Sequence, residues 1–191
     1  VIFITFLSFS SILADEQDQL YNNGEVYYSS HVQDVGWQDS VTSGQISGTV
    51  GQAKQIEAIK LTLPNSETGS IYYSTHVQDI GCQGEVSDGE ISGTVGQAKQ
   101  VEALKMHLKG VVADRYDIYY RVHVEEYGWL DWAKNGENAG TEGFVKQVEA
   151  YEVRLVKKNS PAPGNTQRPF IKKVFKPNYN YNSYNAYPVG Q

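Results

Sequence analysis

Three kinds of side chain that could do chemistry recur together along this chain. Each copy has a histidine, a glycine followed in two copies by tryptophan, and a glutamate 26 positions after the histidine. Imidazole, indole and carboxylate groups can bind metals, move protons or hold sugars. Three copies of one set favour several equivalent surfaces, and therefore multivalent binding, over a single catalytic centre. The recurring histidines and glutamates are His31, His76, His123, Glu57, Glu102 and Glu149.

The tryptophans and their polar neighbours are the best candidates for binding a ligand. An indole face can stack on the C–H face of a sugar ring, while nearby carboxylates and amides bind its hydroxyls. Trp132 has no aromatic counterpart in the other copies, so we expect it to be exposed and rank it first. Cys82 replaces Trp37 and Trp129 in the second copy, which favours a core-filling role for those two rings. The candidate ligand-binding residues are Trp132, Trp129, Trp37, Asp131, Asn135 and Glu137.

We interpret the recurring glutamates and histidines as structural. The glutamates share strand parity with apolar residues, so they are expected to anchor a loop by accepting hydrogen bonds from backbone amides, an indole or a lysine. The histidines fall on the more polar strand face, where the outer faces of separate sheets diverge, which argues against a shared metal site. His107 occupies a different position and adds nothing to such a site. We predict neither a metal nor another cofactor.

No sequence motif points to an enzyme. The Gly-Thr-Val-Gly-Gln-Ala-Lys segments lack the Gly-Lys-Ser/Thr ending of a phosphate loop, and neither a zinc-protease motif nor a nucleophile elbow occurs. Cys82 is the only cysteine, so an internal disulfide is impossible, and we interpret it as a small buried filler rather than a reactive thiol.

Alternating and glycine-punctuated segments predict an all-β fold. Val26, Tyr28, Ser30 and Val32 alternate with more polar residues, which predicts a half-buried strand. Each copy closes with a second strand, and glycines at matching places between the two predict turns or close backbone approach. Repeats of about 45 residues cannot bury a core alone. We therefore predict a pseudo-threefold closed body, β-prism-like with a β-trefoil-like alternative.

Composition divides the chain into segments. Residues 1–14 are apolar and uncharged and are interpreted as the remnant of a signal peptide in a chain that begins inside its reading frame, with an acidic linker at 15–25. The repeats occupy 26–158, as 26–70, 71–115 and 116–158. Residues 159–191 form a basic Tyr/Asn-rich tail that we expect to be disordered. The six cations of 157–191 leave −12 on residues 1–156, which argues against nucleic-acid binding by the body.

The combined pattern resembles the ChW repeat, named for clostridial hydrophobic repeats with a recurring tryptophan. Its elements are Tyr-x-x-His-Val-x-x-x-Gly-Trp, then Gly-x-x-x-Gly-Thr-x-Gly, then Val/Ile-Glu-Ala-x-x-x-x-Leu. The resemblance covers 26–63, 71–108 and 118–155, and the second copy departs most through Cys82. If the tryptophan positions form the binding surface, the second copy would be silent.

The resemblance implies a secreted or surface-associated protein of Gram-positive bacteria. It implies a non-catalytic, lectin-like module that binds carbohydrate or cell-wall polymer. It also implies that the mature chain has no membrane-spanning segment. The alternative is a protein–protein interaction or adhesion component of an extracellular assembly, acting through its loops or tail. Competition by soluble sugars would separate the two, since only the first predicts it.

Overall fold

The computed structural model describes residues 24–65 and 68–174. The proposed signal segment, most of the acidic linker and the Tyr/Asn-rich end of the tail lie outside these residues. We call residues 26–70, 71–115 and 116–158 unit 1, unit 2 and unit 3. The strands of unit 1 are β1 (Tyr27–Val32), β2 (Gly36–Trp37), β3 (Val41–Thr42), β4 (Ile46–Gly48) and β5 (Ile56–Thr62).

Units 2 and 3 repeat this order. Unit 2 contains β6 (Ser70–Val77), β7 (Gly81–Cys82), β8 (Val86–Ser87), β9 (Ser92–Gly93), β10 (Val101–Lys109) and a one-turn helix, α1 (Val111–Arg115). Unit 3 contains β11 (Tyr116–Val124), β12 (Gly128–Trp129), β13 (Ala133–Lys134), β14 (Ala139–Glu142) and β15 (Val148–Lys157). The tail adds β16 (Phe170–Lys172).

Each unit is built on one long antiparallel pair, β1 with β5, β6 with β10 and β11 with β15. The predicted alternation is confirmed, because Val26, Tyr28, Ser30 and Val32 are all buried while His31 is only half-buried. The apolar faces of the three pairs share one core. The protein is therefore all-β and built from three repeats.

A short strand passes from each unit to a neighbouring sheet. Strand β9 of unit 2 pairs with β5 of unit 1, and β14 of unit 3 pairs with β10 of unit 2. Strand β4 of unit 1 pairs with β15 of unit 3, so the pairing returns to its start. The result is three separate sheets, and none of the three closes on itself.

Glycine permits this exchange of strands, as the recurring glycines predicted. Gly93 has φ +114°, and a Cβ there would overlap the carbonyl oxygen of Glu57 and lie 2.6 Å from the Cα of Ala58. Gly140 stands in the same relation to Glu102 and Ala103. A side chain would therefore push the incoming strand off its neighbour.

Buried tyrosine hydroxyls tie the units together. The hydroxyl of Tyr28 donates to the carbonyl of Gln45 in its own unit and accepts from the N–H of Val153 in unit 3, at 3.2 Å. The hydroxyl of Tyr120 likewise donates to Glu137 and accepts from the N–H of Met106 in unit 2, at 3.2 Å. Burial raises the pKa of Tyr28 to about 12, so the phenol keeps its proton at neutral pH.

Two segments differ from the sequence-based expectation. Helix α1 lies between units 2 and 3, although the predicted fold was all-β, and its Val112 is fully buried against the core. The expected disorder of the tail is wrong for residues 159–174, because β16 pairs in parallel with β14. Composition favoured disorder, but the exposed edge of β14 offers backbone partners that composition does not report.

Candidate functional site

The recurring histidine and glutamate meet at a β-bulge in every unit. In unit 1 the register passes from His31 opposite Ala58 to Val32 opposite Ile56, so Glu57 has no residue opposite it. The same step skips Glu102 in unit 2 and Glu149 in unit 3. A bulge places an extra residue on one strand and redirects its side chain. The strand parity that separated histidine from glutamate in our prediction therefore fails at this point.

Each bulge glutamate is buried and held by a glutamine and the histidine. Glu57 is 5% exposed, accepts a hydrogen bond from Gln55 at 3.1 Å, and has a carboxylate oxygen 3.1 Å from Nδ1 of His31. That contact lies within ion-pair distance without hydrogen-bond alignment. The partners differ from the backbone amides, indole or lysine that we expected for the glutamate side chain. The glutamate carbonyl also accepts the N–H of Thr94 from unit 2, at 2.8 Å.

Trp37 and Trp129 lie at the surface of units 1 and 3, beside the histidine. Trp37 meets His31 edge-on at 5.5 Å, and Trp129 meets His123 in the same way at 5.5 Å. A cation covers each indole: Nζ of Lys60 lies 4.1 Å from the Trp37 ring centre. Both indoles are half-exposed and outside the buried core, so the expected core-filling role is wrong. They belong to the outer face because they pair across from the histidine.

In unit 2 a thiol takes the place of the indole. Cys82 is exposed rather than buried, because β7 also lies on the outer face of its sheet. Its Sγ is 3.3 Å from Nδ1 of His76, whose Nε2 is 3.7 Å from Glu102. A thiol, an imidazole and a carboxylate in a row also occur where a thiol is a nucleophile. Here the histidine–glutamate contact recurs beside an indole in the other units, so it does not depend on a nucleophile.

Trp132, our first choice for an exposed aromatic, is buried at 4% exposure. The guanidinium groups of Arg121 and Arg154 lie 4.8 and 5.4 Å from its ring centre, and both bind the buried carboxylate of Glu152. Gly164 of the tail lies against its indole, where a Cβ would be 2.9 Å from Nε1. The prediction of an exposed ring is therefore wrong, because the tail folds over it.

Asp131 also binds the tail, and a difference between repeats explains why. In unit 2, Gln83 accepts a hydrogen bond from the N–H of Gly93 at 2.7 Å. Leu130 takes the corresponding place in unit 3, and there the N–H of Gly140 donates to the carbonyl of Pro169 at 2.9 Å. Asp131 accepts from the N–H of Arg168 at 2.7 Å. The tail thus replaces a glutamine that the third repeat lacks.

Asn135 and Glu137 stabilise the turn after β13. The carboxylate of Glu137 accepts from the N–H of Lys134 at 2.9 Å. Asn135, at φ +44°, accepts from the N–H of Ile118 at 2.9 Å and donates to Asp117 at 2.8 Å. Both side chains are exposed, and of the two Asn135 lines a concave surface.

That concave surface runs along the junction of units 2 and 3. It consists of hollows of about 490 and 360 Å³ that share Glu85 and Lys105, and we call the pair the seam groove. These volumes lie within the roughly 300–1,000 Å³ of small-molecule sites. Tyr72 stacks on His107 at 5.4 Å beside the groove, and His107 contacts Glu85 at 3.4 Å. Its walls include His76, Cys82, Glu85, Lys105, His107 and Asn138.

Sequence reasoning missed most of the seam groove. Glu85 and Lys105 occupy positions where the repeats differ. The position of Glu85 holds Ser40 in unit 1 and Trp132 in unit 3, and the position of Lys105 holds Lys60 in unit 1 and Glu152 in unit 3. Positions that vary between copies could have marked a site belonging to one unit. The predicted candidates Trp132, Asp131 and Glu137 are not brought together in this groove, and only Asn135 lines it.

The described residues contain neither a membrane-spanning helix nor a cluster of metal ligands. Within 24–65 and 68–174, no helix is long and apolar enough to cross a membrane. The same ranges contain no group of three or more histidine, cysteine, aspartate or glutamate side chains arranged to hold a metal ion.

Comparison with known proteins gives one match. The family described as clostridial hydrophobic W, ChW, matches residues 31–65, 76–110 and 123–157. No curated protein and no solved structure matches significantly. The matched segments each run from the bulge histidine to the end of the closing strand and together cover more than half of the 191 residues. The chain therefore belongs to the ChW family, with three repeats.

Proposed function

We propose that this protein is a secreted or surface-associated, non-catalytic module that binds carbohydrate or cell-wall polymer. The observation that carries the proposal is the seam groove, an open polar concavity with donors and acceptors from two units. Glu85 offers carboxylate oxygens, while Lys105 and Asn138 offer an ammonium and an amide. Sugar hydroxyls both donate and accept, so a mixed lining of this kind suits them.

The non-catalytic assignment is supported by the roles of the recurring polar residues. In each unit the histidine and glutamate meet at the bulge, and in units 1 and 3 the glutamate carbonyl accepts an N–H from another unit. Secretion is supported by the apolar segment 1–14, which has the composition of a signal-peptide core.

The proposal is tested by retention of the full chain on purified Gram-positive cell walls and on insoluble polysaccharides. We expect saturable retention that soluble fragments of the same polymer compete away. Retention that soluble fragments leave unchanged, or no retention of folded protein, would contradict it. Ile80→Ser, a change at an exposed loop residue outside the seam groove, should leave this retention unchanged.

A second function, binding to an extracellular protein, is favoured by exposed apolar side chains that recur on the loops. Val35, Ile80 and Tyr127 occupy the same place in the three units and are 54, 48 and 37% exposed. Apolar side chains are buried at the centre of protein–protein interfaces, so each of these loop positions offers a contact to a protein partner. Ile80→Ser combined with Tyr127→Ser should then reduce capture of a protein partner while leaving retention on polysaccharide unchanged.

We also infer a pseudo-threefold closed body of β-prism type rather than a β-trefoil. Three separate sheets around one core, linked by strand exchange that runs through all three units, support this arrangement. Closure of the circle also limits exposed strand edges, which favour aggregation.

A further inference from the structure

We propose that unit 2 provides the binding site, and that a neutral polysaccharide binds in the seam groove. Cys82 opens this groove because units 1 and 3 carry a larger tryptophan at the equivalent position. The inference rests on the proposed function and names its site and ligand class. It reverses the expectation that the second repeat is silent.

The first step of the argument is the space left in unit 2, where Cys82 takes the place of the tryptophan of units 1 and 3. In units 1 and 3 an indole fills the place beside the histidine, with a centroid distance of 5.5 Å in both. In unit 2 the thiol of Cys82 occupies that place, and a hollow of about 360 Å³ lies beside it, lined by His76 and Cys82. An indole is much larger than a thiol, so the tryptophan of a typical repeat would occupy part of this hollow.

The second step is that Lys105 of unit 2 lacks the indole that its counterpart covers in unit 1. Lys60 and Lys105 occupy equivalent positions, 29 residues after His31 and His76. Lys60 is half-buried with its ammonium over the Trp37 ring at 4.1 Å. Lys105 has no indole to cover, is exposed, and makes no ion pair with any residue of 24–65 or 68–174. Its ammonium is therefore available to a ligand at the junction of the two hollows.

The third step is the ligand class. Lys105 can donate, Glu85 can accept, and Asn138 can do both, which matches the hydroxyls of an uncharged sugar. Of the two lysines that line the groove, Lys158 is paired with Asp117, and Glu85 adds a carboxylate, while residues 1–156 hold a net −12. Both features disfavour a polyanion. Two adjoining hollows suit neighbouring residues of one polymer chain better than a single small sugar.

The experiment compares the full chain with four variants on insoluble neutral polysaccharides, namely cellulose, chitin and a β-glucan, and on polygalacturonate as an acidic polymer. Cys82→Trp restores the residue of the sister units, so it should fold with an unchanged melting temperature. We expect it to weaken binding to the neutral polymer at least tenfold, while Ile80→Ser, at an exposed loop residue outside the groove, binds like the wild type. Lys105→Ala should also weaken binding, whereas the matched change Lys60→Ala in unit 1 should not.

Each contrary result would overturn a different part of the proposal. Wild-type binding that survives both Cys82→Trp and Lys105→Ala would place the site elsewhere and leave the proposed function standing. Retention on polygalacturonate alone would overturn the neutral ligand class. A folded wild-type chain that binds no polymer would overturn this inference and the proposed function together.

Discussion

Asp117 lies at the start of β11, and three side chains converge on its carboxylate. Lys158 and Asn135 bind Oδ1, and Lys134 lies 2.7 Å from Oδ2. Burial opposes ionisation of Asp117, but the hydrogen bonds from Lys134, Lys158 and Asn135 outweigh it and lower the pKa to about 2. The ionised carboxylate therefore stabilises the folded state at neutral pH.

Asp117→Asn should lower the free energy of unfolding by about 2 kcal/mol at pH 7, since each unit of pKa shift corresponds to about 1.4 kcal/mol. The folded-state pKa lies below the unfolded value, so this contribution is full above the unfolded pKa of about 4. It is lost as the pH falls toward 2. Urea unfolding at pH 7 and at pH 3 would measure the difference between variant and wild type. An equal difference at both values would contradict the assigned pKa.

The bulge glutamate of unit 1 makes contacts both within its own unit and with a neighbouring unit. Glu57 holds His31 with its carboxylate and accepts a backbone N–H of unit 2 with its carbonyl. The sequence predicts a structural role for this glutamate. Its partner was hidden, because the extra residue of the bulge breaks the alternation from which side-chain direction is read.

At the scale of elements, the exchanged strands depend on close approach of two backbones. Gly93→Ala should therefore be strongly destabilising, by more than the roughly 1 kcal/mol typical of a glycine-to-alanine change at a left-handed position. Gly96→Ala is the matched control, since Gly96 also has a positive φ (+72°) but no atom within 4 Å of the added Cβ. Thermal unfolding should show a much larger loss for Gly93→Ala. Equal losses would mean that close packing at β9 contributes little.

The tail acts as an element of the domain as far as β16. Removing residues 159–191 should expose Trp132 and leave the N–H of Gly140 without its partner Pro169. We expect a red shift of tryptophan emission and a loss on the order of 1–3 kcal/mol from the unpaired groups. Removing only 175–191 is the control and should change neither.

A second change tests the replacement of the glutamine directly. Leu130 is buried in the core, so Leu130→Gln loses packing in any chain. The change should cost less stability in the shortened chain than in the full chain, because only in the shortened chain can the new amide bind the N–H of Gly140 as Gln83 binds that of Gly93. An equal cost in both chains would mean that the tail contributes through its cover of Trp132 rather than through the β14 edge.

At the scale of the molecule, the units depend on one another in a circle. Unit 1 supplies β4 to unit 3, and unit 3 supplies β14 to unit 2. Tyr28 also takes the N–H of Val153 in unit 3. We therefore expect a chain truncated before residue 116 to be unfolded. The full chain should unfold in one transition, with circular dichroism and tryptophan fluorescence coinciding. Stepwise unfolding, or a folded two-unit fragment, would contradict the circular arrangement.

The sequence by itself determined the all-β class, the three repeats, the buried strand faces and the family, because these depend on local alternation and on spacing that repeats along the chain. Tertiary structure alone decided which side chains meet. The bulge brought Glu149 to His123, the tail paired with the edge of β14 and covered Trp132, and Cys82 lies exposed beside a hollow rather than in the core. Each outcome depends on neighbours distant in sequence, and a local pattern carries no information about them.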